Sequence, residues 1–217
     1  MPDRIDAWTH IFPPVYFTRL QTMASAAGPL KRWMELTSLY DLEQRFRLMD
    51  AFEDYRQILT PSMPPIEDLA EGEAAVGLMR LMNDGLAELV GRFPERFPAF
   101  AGALSLLDPD AAVAEVERAA ALGAIGFQIC THVRGNALDD PRFLPVFDAI
   151  AARDLAIWLH PVRGPLPDYA SGRARGMRYG GASAGPTTAV SPWHASCSPA
   201  CSTGIPISRS SPITWGR

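Results

Sequence analysis

Two periods of apolar spacing alternate along this chain, and the switch between them marks its elements. Residues 4–10 (RIDAWTH) form a short run bounded by Pro13 and Pro14, which predicts a buried first strand ending at Thr9 or His10. Helical spacing follows over 41–54, where Leu42, Phe46, Met49 and Ala51 share a face. Residues 56–59 predict a second strand, stopped by TPSMPP. Leu69, Val76, Met79, Leu86 and Val90 predict a long amphipathic helix over 67–93, ending before Pro94. Residues 100–107 predict the next strand. Asp108 and Pro109 then open a helix as N-cap and first helical residue, and it runs through Val113, Val116 and Ala120 to Gly123. A strand at 124–130 follows (AIGFQIC). Asp140-Pro141 opens a helix carrying Phe143, Val146, Phe147 and Ile150, and a strand at 155–160 is cut by Pro161.

Strand and helix alternate through short connections, the pattern of parallel βαβ units. The fold class this predicts is α/β: a partial (β/α)₈ TIM-like barrel of about five βα units followed by an irregular C-terminal tail. A doubly wound sheet is the rival. The first predicted strand is not followed by a glycine-rich phosphate loop, which weighs against nucleotide binding.

Composition sharpens this picture at one point. Of 217 residues, 47% are hydrophobic and 20% charged, a globular balance. The net charge of −4 gives no reason to expect a nucleic acid or an anionic membrane as partner. It hides an asymmetry: residues 169–217 contain no Asp, Glu or Lys, so all 24 acidic residues lie in the first 168 positions. No apolar run reaches the roughly 20 residues that span a bilayer, and MPDRIDAW has no signal-peptide pattern. Three cysteines (Cys130, Cys197, Cys201) do not make a disulfide framework. The expectation is a cytoplasmic, reduced protein, with a homodimer as the admissible assembly.

The candidate chemistry rests on histidines. His10 and His160 both fall at the C-terminal end of a predicted strand, the end that carries the active site of a parallel barrel. Imidazoles converging there can bind a divalent metal, which acidifies a bound water or polarises a carbonyl. Each taken alone reads equally well as a histidine hydrogen-bonded at a strand end. His132, just after the fourth strand, is a candidate for substrate contact or for capping a loop. Arg45 and Arg47 sit on a polar helix face, where arginine is normally solvated; Arg47 is carried as the candidate for a substrate carboxylate. Cys130 and Trp158 read as core residues.

Residues 4–171 resemble the aminocarboxymuconate-semialdehyde decarboxylase branch of the amidohydrolase superfamily. The segments that carry the resemblance are RIDAWTHIFPPVYF, FRLMDAFEDYRQIL, the central stretch MNDGLAELVGRFPERFPAFAGALSLLDPDAAVAEVERA, LGAIGFQICTHVRGNALDDPRFLPVFDAIA and LAIWLHP. The resemblance implies a distorted (β/α)₈ barrel with one divalent metal, commonly zinc. It also implies a small-molecule carboxylate substrate, unsaturated or aromatic, that loses CO₂. Hydrolysis of a lactone or amide on the same barrel is the alternative. In the family's first-strand motif a His or Glu precedes a His by two positions. Here His10 matches the second ligand and Trp8 stands at the first, where an indole offers a donor and no lone pair. His160 matches the ligand that ends the fifth strand. The family's later histidine and aspartate have no counterpart, so a catalytically inactive remnant or binding protein is the third reading.

After PDYAS the chain leaves the family pattern. A shifted frame through 176–181 permits Tyr-Glu-Ile-Trp-Trp; through 192–200, Met-Ala-Arg-Leu-Val-Phe-Ser-Gly; and through 209–216, Ile-Ile-Thr-His-His-Leu-Gly. All three use one offset, and all resemble the family's next segments in order. The expected domain division is therefore 1–171, a truncated amidohydrolase-type barrel, and 172–217, a frameshifted and poorly ordered tail that leaves the chain with little or no activity.

Overall fold

The computed structural model describes residues 4–24 and 30–162. The division at 171 and the tail lie outside those residues. The described part is a five-stranded parallel sheet in the order β1-β2-β3-β4-β5. Its strands are β1 (Arg4–Ile11), β2 (Tyr55–Pro61), β3 (Ala99–Ala103), β4 (Ala124–Cys130) and β5 (Ala156–His160). Between them run α1 (Pro14–Met23), the single turn α2 (Lys31–Met34), α3 (Leu42–Met49), α4 (Gly72–Arg92), α5 (Pro109–Ala121) and α6 (Leu144–Ala152).

Each helix boundary has a local cause. The Asp41 carboxylate accepts from the Gln44 N–H and opens α3, and Asp108 accepts from the Ala111 N–H and opens α5. Gly123, at φ +98°, ends α5 in a conformation that suits glycine. Three predicted boundaries move furthest. The helix expected over 67–93 starts only at Gly72, because Gly72 sits at φ +52° and breaks the ladder; Ile66–Asp68 is a separate 3₁₀ turn. The helix expected to reach residue 54 ends at Met49, and Asp54 at φ +53° turns the chain into β2. The strand expected over 100–107 ends at Ala103, since the next backbone donors leave the sheet. Ser105 N–H meets the Met79 sulfur and Leu106 N–H meets a Glu67 carboxylate oxygen at 3.0 Å.

The sheet is curled into a half-barrel. Four strand-to-strand steps of about 4.8 Å would hold β1 and β5 roughly 19 Å apart in a flat sheet. Instead Trp158 Nε1–H of β5 donates to the Ala7 carbonyl of β1 at 2.8 Å, and Trp8 Nε1–H of β1 donates to Gln128 Oε1 of β4 at 3.2 Å. The convex face carries the apolar core. Leu59, Phe100 and Phe127 from the strands pack with Met79, Met82 and Leu86 from α4 and Val116 from α5, all essentially inaccessible to solvent.

One polar cluster stitches the helices to the sheet. Asn83 of α4, fully buried, accepts from the Ala103 N–H at 2.7 Å and donates to the Ala103 carbonyl at 3.0 Å and to Glu115 Oε1 at 2.6 Å. Glu115 of α5 is held in turn by Arg118 at 2.8 Å. Asn83→Ala leaves a buried peptide and a buried carboxylate short of partners, which costs about 2–4 kcal/mol. Urea unfolding is expected to show that loss as a lower midpoint at unchanged slope.

Candidate functional site

Strand register decides which side chains share the concave face. Residues facing each other across a parallel pair point the same way, and the facing pairs are His10 with Thr60, Ala103 with Gln128, Gln128 with Trp158, and Cys130 with His160. Between Asp6 and Thr9 the β1–β2 register slips. This bulge lets Asp6 and Thr9 both align with the convex-side residues of β2, while Trp8 and His10 turn inward. His10 and His160 meet there, at the C-terminal ends of the two outermost strands, with ring centroids 5.1 Å apart. Trp8 packs edge-on against His160 at 6.1 Å.

The rings are held in one sense. His10 Nδ1 lies 2.8 Å from the Pro61 carbonyl oxygen and 3.0 Å from Thr60 Oγ1; His160 Nδ1 lies 3.0 Å from the Pro161 carbonyl oxygen. A carbonyl only accepts, so each Nδ1 carries the proton and each Nε2 keeps its lone pair. That is how a metal-ligating imidazole is normally oriented, through its second nitrogen. Burial, and then the Arg45 charge, push His10 below the usual histidine pKa, despite the opposing bond to Pro61. Burial together with neighbouring His10 pushes His160 down to about 4. Both rings are therefore neutral at pH 7, the form that binds a metal.

The pair supplies half of a coordination shell. Among the described residues no group of three or more His, Cys, Asp and Glu side chains is placed to hold an ion. Trp8, with its N–H committed to Gln128, offers no lone pair. The imidazoles fit a divalent cation, and the remaining ligands must come from elsewhere.

The other candidates are scattered. Arg47 is well exposed on α3, 3.8 Å from Glu43, and the fold does not bring it to the histidines. Arg45, expected to be solvated beside it, is instead buried: it shares the inward face of α3 with Met49. His132 accepts from the Gly135 N–H through Nδ1 at 3.1 Å, so its proton sits on Nε2. That Nε2 is buried with no hydrogen-bond partner among the described residues, and so are Ser62 Oγ and Ser105 Oγ. Cys130 is a free thiol whose pKa burial and the nearby Glu67 and Asp68 charges push upward, so it is no ready nucleophile. Trp158, expected in the core, lies half-buried on the concave face.

Sequence reading missed Gln128. It is buried in β4, donates to the Pro61 carbonyl at 3.0 Å and accepts from Trp8. A lone amide inside AIGFQIC was its only signal. A cavity of about 310 Å³ under α3 is lined by Thr9, His10, Arg45, Met49, Tyr55 and Gln57; it touches His10 but not His160.

Comparison with known proteins agrees with this architecture. The family profile described as amidohydrolase matches residues 5–202, so the chain belongs to the amidohydrolase family. Its relatives there are decarboxylases. The gamma-resorcylate decarboxylase of Polaromonas sp. (strain JS666) is 35% identical over 166 residues, covering 71% of this chain and 50% of that protein. The 2-amino-3-carboxymuconate-6-semialdehyde decarboxylase of Dictyostelium discoideum is 32% identical over 93 residues, 42% of this chain and 26% of that protein. Among solved structures, the 5-carboxyvanillate decarboxylase of Novosphingobium aromaticivorans superposes with a TM-score of 0.62 at 28% identity, covering 75% of this chain and 52% of the other. That structure holds manganese and 3-methoxy-4-hydroxy-5-nitrobenzoic acid. The chain spans about half the length of the gamma-resorcylate and 5-carboxyvanillate decarboxylases. Among the described residues no helix is long and apolar enough to cross a membrane.

The depressed histidine has a consequence for stability. In the unfolded chain His160 takes its proton near pH 6.5, in the folded chain only near 4. The unfolded state therefore binds more protons between those values, and stability falls as pH drops through that window. Urea midpoints of metal-free protein are expected to fall between pH 7.5 and pH 4.5. His160→Gln is expected to show a shallower fall.

Proposed function

We propose that this chain carries the first half of a metal-dependent carboxy-lyase site acting on a small aromatic carboxylate. One observation carries the reading: His10 and His160, 150 residues apart in the chain, face each other with both Nδ1 atoms tied to carbonyls and neither Nε2 hydrogen-bonded among the described residues. The names of the relatives supply the substrate class, since gamma-resorcylate and 5-carboxyvanillate are both aromatic carboxylates.

His10 and His160 would hold the cation; the manganese of the carboxyvanillate enzyme supports a divalent ion, and zinc is the ion the family resemblance implies. When bound, such an ion supplies Lewis-acid stabilisation of negative charge on substrate oxygens. The overall change is protonation of the carbon that bears the carboxylate, cleavage of its bond to that group, and release of CO₂. This chain's own part is to fix the two imidazoles and to line the concave face. Gln128 holds the Pro61 carbonyl, Thr60 meets the His10 ring, and the Nε2–H of His132, without a partner among the described residues, offers a donor to an anionic substrate. Arg47 takes part only as a surface charge. The sequence from 172 onward is proposed to depart from the family's sequence pattern by a change of reading frame, which resequencing of the DNA across codons 171–175 tests.

A second reading has its own support. Trp8 stands inside the site and closes one ligand position, which favours a chain that binds the ion weakly and turns over slowly or not at all. Manganese titration of metal-free protein is expected to show binding that His10→Ala and His160→Ala each weaken at least tenfold. Trp8→His, which restores a lone pair at that position, is expected to tighten it by at least tenfold. Titration curves unaffected by all three substitutions would remove the metal site. Release of CO₂ from a hydroxylated benzoate by the loaded protein then separates the carboxy-lyase from the inactive reading.

A further inference from the structure

The most completely buried cation described in the molecule lies directly behind the site. Arg45 leaves α3 toward the convex side of the sheet and is only 8% exposed. Its guanidinium donates to Gln57 Oε1 at 2.7 Å, to the Ser38 carbonyl at 3.0 Å and to the His10 carbonyl at 2.5 Å. One side chain thus ties together α3, the turn before it, β2 and the end of β1. Among the described residues no carboxylate forms an ion pair with it. The Asp6 carboxylate acts on it through space and is linked to it by a relay, in which Gln57 Nε2–H donates to Tyr55 Oη at 3.2 Å and Tyr55 O–H donates to Asp6 at 2.9 Å.

A buried cation held by neutral acceptors is an expensive way to join a helix to a sheet. Its desolvation is compensated by charge–dipole bonds and a more distant carboxylate, and apolar residues of similar volume would serve packing as well. The bonds have one feature that apolar packing lacks, which is direction. They fix a particular carbonyl, and it belongs to His10. On the opposite face of the strand the imidazole of the same residue is tethered through Nδ1 to Pro61 and Thr60. Residue 10 is therefore gripped from both sides of the sheet, next to the bulge where β1 is least regular.

We propose that Arg45 is a positioning residue for His10: by holding the His10 carbonyl from behind the sheet it fixes the end of β1 and so the direction in which His10 Nε2 faces His160. The inference rests on the reading that this histidine pair is the functional centre. Its mechanism is geometric and operates with or without an ion.

Long-range proton–nitrogen NMR of the metal-free full chain, labelled in its 4 histidines, tests it. His10→Gln assigns the signal. Wild type is expected to show His10 as a single neutral ring with the proton on Nδ1. Arg45→Met is expected to shift that ring to a mixture of tautomers and to weaken manganese binding at least tenfold. Arg45→Lys, which keeps the charge but not the fork, is expected to recover the melting temperature without recovering the single tautomer. A folded Arg45→Met protein whose His10 signals match wild type overturns the proposal. Where Arg45→Met does not fold, Gln57→Leu removes one anchor and leaves the guanidinium in place. A mixture of His10 tautomers in that variant supports the proposal, and an unchanged His10 ring overturns it. Loss of manganese dependence on His10, together with an Arg45-dependent tautomer, would sink the metal reading and leave this one standing.

Discussion

Everything at this site depends on how sharply the sheet bends. Histidines at the two edges of a flat five-stranded sheet would be too far apart to share anything. Two indole N–H groups hold the bend: Trp158 reaches from β5 to the Ala7 carbonyl, and Trp8 reaches from β1 to Gln128. Both lie on the concave face and both bridge strands that are not neighbours in the sheet. A tryptophan is suited to this task, having a long rigid body and a single directional donor at its tip. Gly126 sets the complementary condition on β4, since a Cβ there would fall about 2.5 Å from the Trp158 ring. The curvature that creates the site is thus written in side chains of the concave face, while the apolar core on the convex face supplies cohesion.

How much of this was legible follows from what kind of signal each feature leaves. The strands left runs of apolar residues closed by proline or glycine, and β4 lies where its run predicted. Asp108 with Pro109 announced α5 because an N-cap is a local device. The end of β3 was invisible, because it depends on Glu67 and Met79, far away in the chain, taking the N–H groups of Leu106 and Ser105. Arg45 was misjudged for the same reason. On a helical wheel it falls with Met49, about 200° from Arg47, yet a charge reads as solvated until the distant acceptors on Gln57 and His10 that hold it are known. His10 and His160 could be picked as strand ends, yet their tautomers are fixed by carbonyls of Pro61 and Pro161, which no pattern reveals.

The two polar clusters differ in what they require of their surroundings. Asn83, Glu115 and Arg118 satisfy one another and the Ala103 peptide, so they read as a structural joint with its charge balanced. The residues at the C-terminal ends of the strands do not close in that way. Ser62, Ser105 and His132 each keep a buried polar atom without a partner among the described residues, and each follows a different strand. An unsatisfied buried group costs about 1–3 kcal/mol. All three follow the C-terminal ends of strands, and among the described residues they lack the closure that the Asn83 cluster has.

Trp8 is then better understood as part of the wall than as a defect in it. Its N–H engages Gln128, Gln128 donates to the Pro61 carbonyl, and the same carbonyl orients His10. The chain of contacts runs from the position of a missing ligand to the ligand that remains. Replacing Trp8 with a coordinating residue would free a lone pair for the ion but remove one support of Gln128. The gain in coordination therefore comes with a looser bend, and the two effects act on different observables: ligand number on metal affinity, curvature on the separation of β1 from β5.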